Sequence, residues 1–160
     1  MCRYTFRVAT DTTLIDCSAG RAQTTFPAGA VLIEEGRRAK VLYVLESGTV
    51  EVLKEGHTIN RVSQRGAVFG EVSVLLDQPP MATVRALTEC RVRVIDDALA
   101  FLETNPLAAL AVARILARRL GAVTGYLVDL KRQYEDRQDH LGMVDEVLES
   151  LLQIQGRRQP

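Results

Sequence analysis

The chain has 160 residues, of which 47% are hydrophobic, and its 20 Lys and Arg residues balance 20 Asp and Glu residues. The length predicts one domain with an additional segment, and the hydrophobic fraction excludes global disorder. The zero formal net charge gives no electrostatic reason to expect binding to DNA or to an anionic membrane.

The amino-terminal segment, residues 1–22, has no pattern typical of targeting. Its first residues, MCRYTFRVATDTTLID, lack the continuous apolar region of a secretory signal. Charged residues interrupt every apolar stretch of the chain before it reaches the length of a membrane span. Cys2, Cys17 and Cys90 have no metal-like spacing and are interpreted as cytosolic thiols. We therefore expect a cytoplasmic protein without membrane contact.

The chain up to about residue 96 carries the pattern of short β-strands. Runs rich in Val, Ile and Thr have strand length: VLIEE, KVLYVLES, TVEVLKEG, HTINRVS, ATVRALTE and CRVRVID. Ser47-Gly48 and Glu55-Gly56 are typical of tight turns and predict two consecutive hairpins. This spacing of strands predicts a sandwich or a small barrel.

Residues 68–86, VFGEVSVLLDQPPMATVRA, combine several features of an anion-binding loop. Gly70 permits close approach of the backbone to a ligand, and EVSVLL suits one short helical turn with free N–H groups. The Glu71 carboxylate could accept hydrogen bonds from sugar hydroxyls, and Thr83 enters the next strand. A simpler interpretation is a turn at Gly70, a favourable acid at a helix start and an ordinary strand residue at position 83.

The pattern becomes helical from about Asp97. DDALAFLETNPLAALAVARILARRLGAV consists mainly of strong helix formers. Pro106 is expected in the first turn of a new helix, with Thr104 or Asn105 as its cap.

A heptad pattern continues to the end of this helical region and predicts pairing with a second copy of the chain. Its apolar positions alternate in steps of four and three: Leu116, Leu120, Val123, Leu127, Leu130, Tyr134, Leu141, Val144, Leu148 and Leu151. Only Arg137 breaks the set. Residues 116–155 are therefore predicted to form a dimerisation helix. A break near residue 140 is the alternative, because KRQYEDRQDH is polar and Gly142 follows.

The chain contains no set of residues that predicts an enzyme or a metal site. His57 and His140 are its only histidines, and neither has a local cysteine partner. The basic pairs Arg37-Arg38 and Arg118-Arg119 are interpreted as solvated. We expect no enzymatic activity, no metal and no cofactor other than a bound ligand.

Residues from about Phe26 to Leu130 resemble the cyclic nucleotide-binding domain family. This family includes catabolite-activator-type regulators, kinase regulatory subunits and gated channels. FPAGAVLIEEG resembles its opening strand and turn, LYVLESGTVEVLKEG its central hairpin, and RGAVFGEVSVL the start of its phosphate-binding cassette. The resemblance implies a mainly β fold with C-terminal α structure: a cyclic-nucleotide-binding-type β-roll (double-stranded β-helix or jelly roll) with flanking helices over residues 23–130.

The resemblance also implies a set of ligand-binding residues. In the family, the residue that matches Gly70 makes a backbone contact, and the one that matches Glu71 binds the ribose 2′-hydroxyl. The expected ligand-binding residues are Phe69, Gly70, Glu71, Val72, Ser73, Pro80, Met81, Ala82, Thr83 and Arg85.

One family position differs in this chain. In the family, an arginine within a Pro-Arg-x-Ala-Thr pattern pairs with the cyclic phosphate, and here Pro80 stands at that position. Loss of one charge-assisted hydrogen bond weakens binding about 10- to 100-fold. Arg85 and Arg91 lie on nearby predicted strands and are candidate replacements if they face inward, and strand alternation places Arg85 on the face of Thr83.

The expected function is a non-enzymatic regulatory sensor for cyclic AMP or cyclic GMP that signals through its C-terminal helix to an unknown effector protein. The alternatives are a degenerate, ligand-free interaction and dimerisation module, and a sensor of another ligand such as a cyclic dinucleotide. Only about 30 residues follow Leu130, too few for a helix-turn-helix domain beside the heptads. We therefore expect no direct DNA binding.

Overall fold

The computed structural model describes residues 13–133 and 146–151. The elements in chain order are α1 (Thr13–Cys17), β1 (Ala22–Phe26), β2 (Val31–Ile33), β3 (Leu42–Ser47), β4 (Val50–Lys54), β5 (His57–Val62), β6 (Val68–Phe69), α2 (Glu71–Leu76), β7 (Thr83–Ala86), β8 (Cys90–Ile95), α3 (Ala98–Thr104) and α4 (Pro106–Gln133). Residues 146–151 are also helical. A β-roll followed by a long helix is therefore confirmed.

The strands described form two antiparallel four-stranded sheets. The first has the order β1-β8-β3-β6 and the second the order β2-β7-β4-β5. Only β4 and β5 are both consecutive in sequence and paired in a sheet, so the hairpin predicted at Glu55-Gly56 is confirmed. The hairpin predicted at Ser47-Gly48 is wrong, because β3 and β4 lie in different sheets.

Gly48 marks the point where the chain passes from the first sheet to the second. Its φ angle is 96°, and a Cβ atom there would lie 2.2 Å from the backbone oxygen of Glu89 and 2.8 Å from the Sγ atom of Cys90. Only glycine combines this left-handed backbone with such a close approach. The local Ser-Gly signal therefore identifies a turn correctly but does not determine which strands pair.

The apolar side chains form two buried clusters. One lies between the sheets and draws on both of them, with members that include Leu45, Val92, Val50 and Val84. The other joins the helices to β3, β6 and β8, with members that include Leu14, Leu42, Val68, Val74, Ile95, Phe101, Leu102, Val112 and Ile115. Strand β3 contributes to both clusters, so it is buried on both faces, which explains its continuous apolar run.

Asn105 separates α3 from α4 and acts as the predicted cap. Its Oδ1 atom accepts a hydrogen bond of 3.1 Å from the amide of Ala108, and α4 begins at Pro106 as predicted. Across the described residues, no single helix is long and apolar enough to cross a membrane. The pair α3 and α4 reaches that length and composition only together, with a bend of 110° between them.

The chain divides into two compact units, Met1–Leu116 and Ala117–Pro160. In the first unit, the start of α4 is packed into the core through Ala108, Ala111, Val112 and Ile115.

In the second unit, the predicted heptad positions are not fully buried. Leu120 and Val123 are exposed, whereas Leu127 and Leu130 are half-buried, as are Leu148 and Leu151 in the helical segment 146–151. The predicted positions Tyr134, Leu141 and Val144, and the possible break near residue 140, lie outside the described residues.

Three short elements were not predicted. Helix α1 and strand β1 have five residues each, and β6 has two. Such lengths contain too few residues to display a period. Leu14 and Ile15 of α1 are buried, so part of the segment assigned to residues 1–22 belongs to the core.

Candidate nucleotide site

One end of the candidate site is formed by residues 69–73, here called the glycine–glutamate end. Strand β6 leads into Gly70, whose φ angle of 92° turns the chain into α2. A Cβ atom at Gly70 would lie 2.5 Å from the backbone oxygen of Val41, so the loop between β2 and β3 packs directly on this glycine. Glu71 begins α2 and is only 3% exposed. The turn at Gly70 thus places Glu71 in a largely buried environment.

Ser73 closes the short helix that follows. Its Oγ donates a hydrogen bond of 2.5 Å to the carbonyl of Gln78, and its own carbonyl accepts one of 3.2 Å from the Gln78 amide. Ser73 is 8% exposed, whereas Val72 is half-buried. These contacts hold α2 as one compact turn between the glycine–glutamate end and the residues that follow.

The other end is formed by residues 79–83, here called the proline end. Pro80 is buried, and its carbonyl accepts a 2.8 Å hydrogen bond from the amide of Gly36. Ala82 and Thr83 are half-buried, but Met81 is 62% exposed. Met81 therefore does not fill a buried cavity.

Both ends lie against the same connection, residues 34–41 between β2 and β3. Val41 packs on Gly70, and Gly36 bonds Pro80. The amide of Glu35 also donates a 3.1 Å hydrogen bond to Oγ1 of Thr83. The structure thus brings the two predicted groups of site residues together along one loop, which the sequence pattern did not identify as part of the site.

Arg85 lies on the face of β7 predicted from strand alternation, but it is already engaged. Its Nε and Nη2 atoms lie 2.8 and 2.7 Å from Oε1 of Glu51, directly opposite on β4. Glu51 is only 6% exposed, and the Arg85 hydrogen bond lowers the pKa of its carboxyl. Val84 and Ala86, the neighbours of Arg85 in sequence, belong to the cluster between the sheets. Arg85 therefore lies on the opposite face of the second sheet from that cluster.

Arg91 is exposed, and its Nε donates a 3.1 Å hydrogen bond to Oγ of Ser47. Its neighbours Cys90 and Val92 are buried in the cluster between the sheets. Arg91 therefore does not face inward, and the condition under which it could replace the missing arginine is not met.

Glu35 joins the loop between β2 and β3 to two other parts of the second sheet. Its carboxylate accepts hydrogen bonds of 2.5 Å from Nζ of Lys54 and 3.0 Å from the amide of Glu55. The bond from Lys54, with that from Glu55, lowers the pKa of the Glu35 carboxyl. Since the Glu35 amide also binds Thr83, this residue anchors the loop at the proline end.

The same loop carries the arginine pair Arg37-Arg38. Nη1 of Arg37 lies 3.3 Å from the Glu34 carboxylate within the loop. Nη1 of Arg38 lies 3.3 Å from the carboxylate of Asp77, which ends α2. Both side chains are largely exposed, as expected, but Arg38 also makes a contact with the 70–83 stretch.

The arrangement is suited to a ligand with hydroxyl groups and an anionic group. A carboxylate and backbone amides can bind sugar hydroxyls and phosphate oxygens. Residues 70–83 themselves contain no Arg or Lys. No cluster of three potential metal ligands occurs in residues 13–133 or 146–151.

Comparisons with known proteins identify the family and the fold. Residues 23–105 match the family described as cyclic nucleotide-binding domain. The chain is 44% identical over 68 residues to a cAMP-dependent protein kinase regulatory subunit of Emericella nidulans, covering 42% of this chain and 16% of that protein. It is 36% identical over 84 residues to a cGMP-dependent protein kinase of Drosophila melanogaster, covering 52% and 7%. The chain thus spans less than a fifth of the length of these relatives.

Among solved structures, the Thermus thermophilus catabolite activator protein is similar in fold. The two structures align with a TM-score of 0.59 and 22% sequence identity. The alignment covers 98% of this chain and 90% of the catabolite activator protein chain.

Proposed function

Because the chain belongs to the cyclic nucleotide-binding domain family, we propose that it is a non-enzymatic regulatory module that binds cyclic AMP or cyclic GMP. The ligand contacts residues 69–73 and 80–83. The observation that carries this proposal is the buried carboxylate of Glu71 behind the left-handed Gly70. A carboxylate in this position can accept hydrogen bonds from the hydroxyl groups of ribose.

A calorimetric titration of the purified chain tests this function. The ligands are cyclic AMP, cyclic GMP and a cyclic dinucleotide. We expect one mononucleotide to bind with a dissociation constant on the order of 1 μM. Binding of the dinucleotide alone would favour the alternative ligand. No heat from any ligand up to millimolar concentration would favour the ligand-free interaction module.

Ligand binding is coupled to the helices through the core of the first unit. Val74 of α2 packs in the same cluster as Phe101 and Leu102 of α3 and Val112 of α4. A ligand that moves α2 therefore changes the packing of the helix region. For a signal to result, the ligand must bind one helix arrangement more tightly than the other, because equal affinity shifts no equilibrium.

The second half of α4 pairs with that of a second copy of the chain. Leu120 is 50% exposed and Val123 is 41% exposed at successive heptad positions. Since an apolar heptad seam is stabilised by burial against another helix, a homodimer is the simplest arrangement. The module acts in the cytoplasm on an effector protein, without contacting DNA or a membrane. Cys17 and Cys90, which form no disulfide, are consistent with that compartment.

Analytical ultracentrifugation tests the dimer. We expect Leu120→Glu to convert the chain to a monomer, because it places a charge in the apolar seam. Ala122→Glu is the matched control, since it introduces the same charge at an exposed helix position outside the heptad set. Equal sedimentation of both variants and the wild type would exclude this seam as the interface.

A further inference from the structure

Pro80 stands where the family has an arginine, and it is hydrogen-bonded to a loop that carries two other arginines. The carbonyl of Pro80 accepts its 2.8 Å hydrogen bond from the amide of Gly36, and Arg37 and Arg38 follow at once. The hydrogen bond from the amide of Glu35 to Oγ1 of Thr83 fixes the same loop at the residue before Gly36. The loop that carries these two arginines is therefore bonded to the proline end through its backbone.

The two arginines differ in what they contact. Arg37 pairs with Glu34 inside its own loop, whereas Arg38 pairs with Asp77 at the end of α2. Of the two, Arg38 is thus the arginine whose side chain forms an ion pair with a residue of the 70–83 stretch. Arg37 has the same charge and a similar exposure, so it provides a natural internal control.

The ion pair of Arg38 is also easier to exchange than that of Arg85. The Arg38 and Asp77 side chains are 62% and 76% exposed, and pairs between exposed charges contribute little to stability. Arg85, by contrast, holds the nearly buried carboxylate of Glu51, and its departure would leave that charge unpaired in the protein. A ligand phosphate can therefore recruit Arg38 at a lower cost than Arg85.

We propose that Arg38 supplies the cation for the phosphate of the bound cyclic nucleotide and so takes the place of the arginine that Pro80 replaces. This inference rests on the proposed function. Asp77, three residues before Pro80 in sequence, pairs with the guanidinium, and the phosphate then accepts two parallel N–H hydrogen bonds from it. Arg38 thus determines the preference for an anionic nucleotide over the corresponding neutral nucleoside.

The test compares cyclic AMP and adenosine as calorimetric ligands for the wild type, Arg38→Ala and Arg37→Ala. We expect Arg38→Ala to weaken cyclic AMP binding about 10- to 100-fold, because it removes a charge-assisted hydrogen bond. Adenosine affinity and the thermal unfolding midpoint should stay unchanged, since Arg38 is exposed and adenosine has no phosphate. Arg37→Ala should change the affinity for cyclic AMP and the affinity for adenosine by no more than about threefold.

A second variant, Pro80→Arg, restores the family pattern and separates the possible failures. In this background the effect of Arg38→Ala should largely disappear, because the two arginines serve one phosphate. If the wild type binds cyclic AMP and Arg38→Ala binds equally well, the inference is wrong and the proposed function stands. The inference is also wrong if the wild type binds adenosine as tightly as cyclic AMP, or if only Pro80→Arg binds cyclic AMP. If neither the wild type nor Pro80→Arg binds cyclic AMP, both the function and the inference are wrong.

Discussion

The glycine–glutamate end and the proline end of the candidate site differ in how they are built. At the first, Phe69, Glu71 and Ser73 are each less than a tenth exposed, and Gly70 is in contact with backbone. At the second, the exposed Met81 follows a proline that offers neither charge nor an N–H donor.

This difference has a physical consequence. Both ends contact the loop between β2 and β3, but in different ways. At the glycine–glutamate end, Val41 of the loop packs on Gly70, and the carboxylate belongs to Glu71 itself. The proline end is bonded to the loop through the hydrogen bonds of Glu35 to Thr83 and of Gly36 to Pro80, partners more than forty residues apart in sequence. Under the proposed function, Glu71 can therefore still bind the ribose although Pro80 stands at the position of the phosphate arginine, while the phosphate needs a cation from another part of the chain.

Replacement of Gly70 is expected to have the largest effect. In Gly70→Ala, the new Cβ lies 2.5 Å from the Val41 backbone oxygen at a φ angle of 92°, so the loop or α2 must move. Gly29→Ala has a similar φ of 86° but no atom within 4 Å, and it reports the cost of the left-handed backbone alone, about 1–2 kcal/mol. In thermal unfolding, Gly29→Ala should lower the midpoint by about 2–8 °C. Gly70→Ala should lower it further and prevent cyclic AMP binding. Equal decreases of the unfolding midpoint in the two variants would show that Val41 does not constrain the glycine–glutamate end.

Replacement of Glu71 is expected to remove binding with a smaller effect on folding. Glu71→Ala deletes the carboxylate that we propose accepts the ribose hydrogen bonds, and it should weaken cyclic AMP binding by about 100-fold in calorimetry. Glu71→Gln retains an oxygen acceptor without the charge, and its affinity for cyclic AMP should be about tenfold lower than that of the wild type. Unchanged affinity in Glu71→Ala would show that the pocket lies elsewhere.

The smallest effect concerns the ion pair between Arg85 and Glu51. It appears as a dependence of protein stability on pH. The hydrogen bond from Arg85 holds the pKa of Glu51 below its ordinary value of 4.5. A lowered folded-state pKa stabilises the protein above the ordinary value, and this contribution is lost as the pH falls through the folded pKa. The midpoint of the wild type should exceed that of Glu51→Gln at about pH 6, and the difference should shrink towards about pH 3.

Glu89→Gln, at an exposed position, controls for the loss of one carboxylate. A difference between the wild type and Glu51→Gln that is independent of pH would show that the ionised carboxylate of Glu51 does not stabilise the fold.

Local patterns predicted much of this molecule. The strands β2 to β5, β7 and β8, the single turn of α2, and the start of α4 at Pro106 all follow from periodicity and capping residues. These features depend on neighbours in sequence, which is why a single sequence is enough to place them.

Features that depend on distant pairing could not be predicted in the same way. Strand alternation placed Arg85 beside Thr83, but its partner Glu51 follows only from the register between β4 and β7. The passage at Gly48 between sheets depends on contact with Glu89 and Cys90, about forty residues later. The pair Arg37-Arg38 was identified only as a solvated basic cluster, because nothing local indicates that Gly36 binds Pro80.

The central claim is that a cyclic nucleotide binds at residues 69–73 and 80–83. The most direct test is to follow the amide chemical shifts of the ¹⁵N-labelled chain during a titration with cyclic AMP. The account predicts that the largest, saturable shifts occur at Gly70, Glu71, Ser73, Ala82 and Thr83, with a further shift at Arg38. A spectrum that does not change up to millimolar cyclic AMP, or shifts confined to residues 117–133, would contradict it.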